Sequence, residues 1–120
     1  MPACTLALLQ RVLNAAARFV DGMLARAYAT GTMRALHWLT VAYRIRYKHG
    51  LVMFAVYNGT SPSYIADTTT RSSTISGHGK LQSTNTSEFD MPGTRTKFEE
   101  SAFSVAGPRE WNALPVAIRK

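Results

Sequence analysis

Residues 6–24, LALLQRVLNAAARFVDGML, carry the clearest structural signal in this chain of 120 residues. At about 100° per residue, the rotation of an α-helix, most of their apolar side chains fall within one arc. The arc contains Leu6, Leu9, Leu13, Ala16, Ala17, Val20 and Leu24, and the opposite side contains Arg11, Asn14 and Arg18. Thr5 stands where a helix N-cap is expected. The pattern predicts an amphipathic α-helix from residue 6 to about residue 24.

Residues 41–57, VAYRIRYKHGLVMFAVY, predict a second long helix, with Thr40 as its cap and Asn58-Gly59 as its end. The first half of this segment is basic, and residues 51–56 are apolar on all sides, as in a helix inside a bundle. A β-strand is the competing interpretation of residues 51–56, because Val and Phe favour strands. The total length of the segment favours the helix. Residues 27–35 predict a weakly structured connector, with a short helix beginning near Thr32.

The composition changes at residue 60, because 14 of the 28 residues from 60 to 87 are Ser or Thr. Residues 62–67 predict one short helical turn, and residues 68–87 are expected to be the least ordered part of the chain. Beyond residue 100, isolated apolar residues alternate with Gly107, Pro108 and Pro115, which predicts an extended segment with short strands. Phe103 and Trp111 are expected to dock this segment onto the helical half. The fold class is therefore mainly α, with a helical region at 1–59, a flexible segment at 60–100 and an anchor segment at 101–120, together forming one incomplete domain.

The positive charge is concentrated in the first half of the chain. Residues 1–60 hold seven basic residues and one acid, a net charge of +6, whereas residues 61–120 have a net charge of +1. This asymmetry suggests an anionic partner for the first half, such as nucleic acid or a membrane surface. Aromatic residues lie among the basic ones, and such a mixture is typical of surfaces that grip nucleic acid without reading its sequence. The predicted nucleic-acid-binding residues are Arg11, Arg18, Arg44, Arg46 and Lys48. The competing interpretation is a solvated basic face, with Trp38 in the core.

The sequence predicts no catalytic residue, no metal site and no cofactor. Nucleotidyl transfer needs two metal ions held by carboxylates, and Asp21 in residues 19–22, FVDG, has no second acid beside it. The three histidines share no metal-ligand spacing, and the single cysteine cannot form an internal disulfide. No apolar run is long enough to cross a bilayer, so no membrane partner is expected.

Several segments, taken together, resemble one family, the RNA-directed DNA polymerases of non-LTR (LINE-type, jockey-like) retrotransposons. The segments occur in the same order as in that family: LQRVLNAAAR at 9–18, LHWL and RIRYK at 36–48, NGTSPSYIAD at 58–67, TRTK at 94–97 and AFSVAGPREWNALP at 102–115. In the family they lie after the palm, in the thumb-side and C-terminal region. The resemblance implies a thumb-like helical half that contacts nucleic acid, with the absent palm as its structural partner. It also implies that this chain has no enzymatic activity of its own. The sequence leaves the cellular location open: cytoplasmic or nuclear if the reading frame is expressed, and not secreted.

Two alternatives come from other classes of protein. Residues 1–35 also have the composition of a mitochondrial presequence, since they are amphipathic, rich in arginine and poor in acids. The chain could instead be a domesticated module that binds another protein.

Overall fold

The computed structural model describes residues 3–24, 26–74 and 88–119. Its five α-helices confirm the mainly α fold class: α1 is Ala3–Val20, α2 is Ala29–Ala35, α3 is Val41–Tyr57, α4 is Ser63–Ala66 and α5 is Phe103–Asn112. Short 3-10 turns lie at Ser72–Thr74 and Glu99–Ser101. The chain forms two compact units, an N-terminal unit (Met1–Arg46) and a C-terminal unit (Tyr47–Lys120), whose boundary falls within α3. The three segment boundaries predicted from composition stay predictions.

The first three helices end in the same way. In each, a residue with left-handed backbone geometry follows the last turn: Gly22 with φ 65°, His37 with φ 53° and Gly59 with φ 70°. In each, two backbone N–H groups bond back to carbonyls of the final turn, as in a Schellman motif. After α3, for example, Thr60 N donates to Ala55 O at 2.9 Å and Gly59 N donates to Val56 O at 3.1 Å. The predicted end of α3 at Asn58-Gly59 is thereby confirmed.

Both ends of α1 differ from the prediction. The helix ends at Val20 rather than near residue 24, because Gly22 takes the left-handed position and closes the last turn. It also begins at Ala3, so Thr5 lies inside the helix and is not its cap.

The N-terminal unit packs α1 against α2. The residues buried here are small or flexible: Ala17 on α1 and Ala29, Thr32 and Met33 on α2. Because Leu6 and Leu13 are half-buried while Leu9 and Val20 are exposed, the buried face of α1 is narrower than the predicted apolar arc.

The C-terminal unit has its core between α3 and α5. Met53 and Val56 of α3 pack with Phe89 and with Trp111 of α5, surrounded by half-buried apolar residues: Tyr57, Ile65, Phe103 and Leu114. Trp111 lies 5.5 Å from Tyr57 and 6.2 Å from Phe89 between ring centroids. The predicted docking of the 103–114 segment is confirmed within this unit, and the predicted turn at residues 62–67 is confirmed as α4.

The extended conformation predicted for residues 101–120 is wrong for Phe103–Asn112, which forms α5 with Pro108 inside the helix. A proline there removes one backbone hydrogen bond and costs about 3 kcal/mol. Burial of Val105 and Trp111 offsets that cost. Gly107 is needed for close packing, because a Cβ at this position would lie 2.9 Å from the Phe103 ring and 3.0 Å from Met53 Sδ.

The middle segment is held by an isolated antiparallel bridge between Arg71 and Phe89. The Arg71 guanidinium donates to the Tyr57 carbonyl and lies 4.8 Å from the centre of the Tyr57 ring. The part of the predicted flexible segment at residues 75–87 lies outside the described residues.

Candidate nucleic-acid interface

The end of α2 fixes the position of Trp38. His37 N donates to Arg34 O at 3.0 Å and Trp38 N donates to Met33 O at 2.8 Å, with His37 in the left-handed conformation. In a Schellman motif the residue in the position of Trp38 lies over the helix turn that contains Met33. These hydrogen bonds fix the backbone at Trp38, whose side chain lies half-buried at the surface of the N-terminal unit.

Gln10 joins α1 to the beginning of α3. Its Oε1 accepts a hydrogen bond of 2.9 Å from the Val41 backbone N–H, one of the donors that a helix start leaves without an internal partner. Its Nε2 donates to Asn14 Oδ1 at 2.8 Å and approaches Met33 Sδ at 3.6 Å. One amide thus fixes the relative positions of three segments of the N-terminal unit.

An open groove of about 620 Å³ lies beside these contacts in the N-terminal unit. Its walls come from α1, α2, the 38–40 loop and the first turn of α3, and the lining residues are Gln10, Asn14, Thr30, Met33, Arg34, Trp38, Leu39, Thr40 and Tyr43. The groove combines two aromatic rings with apolar side chains and amides. A surface of this kind can accept a flat ring by stacking.

Arginines lie at the aromatic side chains of the groove. The guanidinium carbon of Arg44 is 5.8 Å from the centre of the Trp38 ring, and Arg44 Nε donates to Leu39 O at 3.0 Å. The guanidinium carbon of Arg46 is 5.9 Å from the centre of the Tyr43 ring. Arg34 is itself part of the groove wall. Positive charge beside stacking surfaces is the arrangement that binds single-stranded nucleic acid.

The other predicted residues on α1 are placed beside the groove by helix geometry. Asn14 lines the groove, and Arg11 and Arg18 stand three residues before it and four residues after it, so the three side chains share one face. Arg11 is exposed and Arg18 is half-buried. Lys48 is also exposed, but it belongs to the C-terminal unit. The N-terminal unit therefore contains four of the five predicted binding residues.

The prediction of binding residues omitted Arg34, Gln10 and Asn14. From the sequence, Arg34 contributes only to the net charge, because residues 27–35 predict a weakly structured connector. A glutamine within the apolar pattern of α1 was the one signal in the sequence that could have pointed to Gln10. Its role depends on Val41, which is distant in the chain, so the local pattern did not show it.

The acid closest to a polymerase motif has a structural role. Asp21 Oδ2 accepts a hydrogen bond of 3.1 Å from the Thr32 hydroxyl and so joins the end of α1 to α2. Within the described residues, no three His, Cys, Asp or Glu side chains are close enough to hold a metal ion. None of the helices described has both the length and the apolar character needed to cross a lipid bilayer.

Comparison of the chain with protein-family models, with curated proteins and with solved structures finds no match.

Proposed function

We propose that this chain is a weak, sequence-independent nucleic-acid-binding region, derived from the part of a non-LTR retrotransposon reverse transcriptase that follows the palm. One observation supports this function best: Trp38 and Tyr43 line a single groove that Arg34 and Arg44 border. The family origin depends on the ordered sequence segments quoted above. The binding function depends on the groove and on its charge.

The charge of the N-terminal unit agrees with an anionic ligand. Residues 1–46 contain six arginines and one acid, a net charge of +5. The single acid, Asp21, accepts a hydrogen bond from the Thr32 hydroxyl. Arginine contacts to phosphate oxygens position a protein on nucleic acid without reading its sequence. We therefore expect dissociation constants on the order of 10⁻⁴–10⁻⁶ M at physiological salt.

A salt series with charge-matched variants tests the phosphate contacts. If about four phosphates are neutralised, log K should fall against log salt with a slope of about −3 to −4. The double variant Arg34→Ala/Arg44→Ala should reduce the steepness of that slope by roughly two units on two unrelated sequences. The control is Arg95→Ala/Lys97→Ala, which removes the same charge from exposed positions in the C-terminal unit. Equal losses in both double variants would show a general effect of charge and reject the groove as the site.

A second comparison tests the stacking surface. Tyr43→Ala should weaken binding of a single-stranded probe by roughly 5- to 150-fold, because stacking one base on an aromatic ring contributes about 1–3 kcal/mol. Tyr64→Ala is the matched control, since Tyr64 is an exposed tyrosine in the C-terminal unit. Identical affinities in the two variants would exclude stacking at Tyr43.

The proposal includes no catalysis. Primer extension on a homopolymer template with Mg²⁺ or Mn²⁺ should give only background incorporation. Incorporation that is lost in Asp21→Asn would contradict this expectation, because Asp21 is the only acid in residues 1–60.

A further inference from the structure

The outward face of α1 is a stripe of exposed apolar side chains. Leu8 is 60% exposed, Val12 is 68% exposed and Phe19 is 88% exposed. The spacings of four and seven residues place these three side chains along one side of the helix. We call Leu8, Val12 and Phe19 the apolar stripe. A phenylalanine with this exposure leaves almost its whole ring in water, which is unfavourable unless another surface covers it.

The stripe is separate from the face that α1 buries. Ala17 is the buried residue of α1, and Leu6 and Leu13 are half-buried on the same side. At about 100° per residue, Ala17 points roughly 140–180° away from the three stripe residues. The core of the N-terminal unit therefore makes no use of the stripe.

One edge of the stripe is positively charged. Arg11 and Arg18 lie on the side of α1 between the stripe and the groove, and no acid occurs in Ala3–Val20. Asp21, the next residue along the chain after α1, accepts a hydrogen bond from the Thr32 hydroxyl. An apolar face beside arginines, with no acid in the helix, has the pattern of a helix that lies in a membrane interface.

The charge also decides between possible occupants of this face. A second copy of α1 packed on the stripe would bring arginines near arginines, with no acid of the helix to compensate them. Anionic lipid headgroups supply the missing negative charge, and acyl chains supply an apolar phase for the stripe. We propose that α1 lies in the plane of an anionic membrane surface, with Leu8, Val12 and Phe19 among the acyl chains and Arg11 and Arg18 at the headgroup phosphates. This inference departs from the expectation of no membrane partner, which followed from the absence of an apolar run long enough to span a bilayer.

Vesicle binding with a matched pair of variants tests this proposal. The full chain is mixed with vesicles of equal parts phosphatidylcholine and phosphatidylserine, and with vesicles of phosphatidylcholine alone. Cys4 is the only cysteine and is exposed near the start of α1, so it can carry an environment-sensitive dye. The unmodified sequence should bind the anionic vesicles with a blue shift of the dye, and it should bind the neutral vesicles at least about tenfold more weakly.

The decisive variant is Leu8→Gln/Phe19→Gln, and its control is Leu51→Gln/Phe54→Gln. Both pairs replace one exposed leucine and one exposed phenylalanine on a helix, and both leave the net charge unchanged. The stripe variant should lose about tenfold or more in partitioning to anionic vesicles, whereas the control should change by less than about twofold. Equal binding by the two variants would overturn the proposal, because attraction of charge alone would then explain the binding.

Further measurements separate this result from misfolding and from nucleic-acid binding. The stripe variant should retain the helical circular dichroism of the unmodified chain and its affinity for the single-stranded probe. If it does not fold, the single variant Val12→Gln is used instead, with the same expected direction. Association of the chain with itself through the stripe, detected by cross-linking without vesicles and lost in the stripe variant, would overturn the membrane assignment. Tyr43→Ala should leave vesicle binding unchanged, so failure of the proposed nucleic-acid function can be recognised separately.

Discussion

Replacing Trp111 with alanine should strongly destabilise the C-terminal unit. The side chain is 1% exposed and contacts the rings of Tyr57 and Phe89. A buried tryptophan removes up to about 250 Å² from water, which corresponds to roughly 6 kcal/mol as an upper bound. Residual compactness of the unfolded chain lowers this figure by about 10–40%. We therefore expect the free energy of unfolding to fall by about 3–5 kcal/mol, in the range measured for Trp→Ala substitutions in cores.

Urea denaturation followed by fluorescence can measure this loss. The chain has two tryptophans, with Trp38 in the N-terminal unit and Trp111 in the C-terminal unit. Trp38→Ala is the comparison variant, because it removes a half-buried ring from the N-terminal unit. Half of the same area corresponds to roughly 3 kcal/mol as an upper bound, and this loss concerns the N-terminal unit. With a urea slope near 1–1.5 kcal/mol per molar, Trp111→Ala should lower the midpoint of the C-terminal unit by about 2–5 M. A shift below about 0.5 M, or water-exposed emission from Trp111 in the Trp38→Ala variant, would refute the buried core described here.

Three further substitutions test single structural features. His37→Gly should raise the unfolding free energy by about 0.5–1 kcal/mol, because glycine adopts the positive φ of 53° without the steric cost of a Cβ; a thermal melt measures it. The Asn112 side chain accepts a hydrogen bond from Phe89 N at 3.1 Å and donates one to Phe89 O at 2.8 Å. Asn112→Ala should therefore lower the unfolding free energy by about 1–3 kcal/mol, measured by urea denaturation. Gln10→Leu should increase amide exchange at Val41, because it removes the acceptor of that N–H at 2.9 Å.

Each of these substitutions has a control or a contradicting outcome. His37→Val should destabilise the chain, because a β-branched residue is disfavoured at positive φ; stabilisation by both changes would contradict the backbone argument. Asn58→Ala is the control for Asn112, since Asn58 is exposed and its side chain donates to Phe54 O at 2.9 Å, within its own helix end. Unchanged exchange at Val41 in the Gln10 variant would remove the link between α1 and α3.

The parts of the binding surface that the sequence predicted are those that depend on charge. Arg11, Arg18, Arg44 and Arg46 could be proposed because arginines in a region with one acid imply an anionic partner. The groove could not be proposed, because its walls come from separate segments that only packing brings together. Trp38 illustrates this difference. The sequence favours a core position for it, whereas in the structure it is half-buried and lines the groove.

The sequence by itself determined α3 from Val41 to Tyr57 and its end at Asn58-Gly59, because apolar patterning and capping act within a few residues. It did not determine α5, since Gly107 and Pro108 disfavour a helix locally. Only the tertiary structure decided in favour of that helix: Gly107 lets α5 approach Met53, and the burial of Trp111 offsets the bond that Pro108 removes. Tertiary packing also decided which face of α1 is buried, because α2 covers the side of Ala17 and leaves Phe19 in water. Periodicity identifies a helix, but the neighbouring elements determine which side of it is buried.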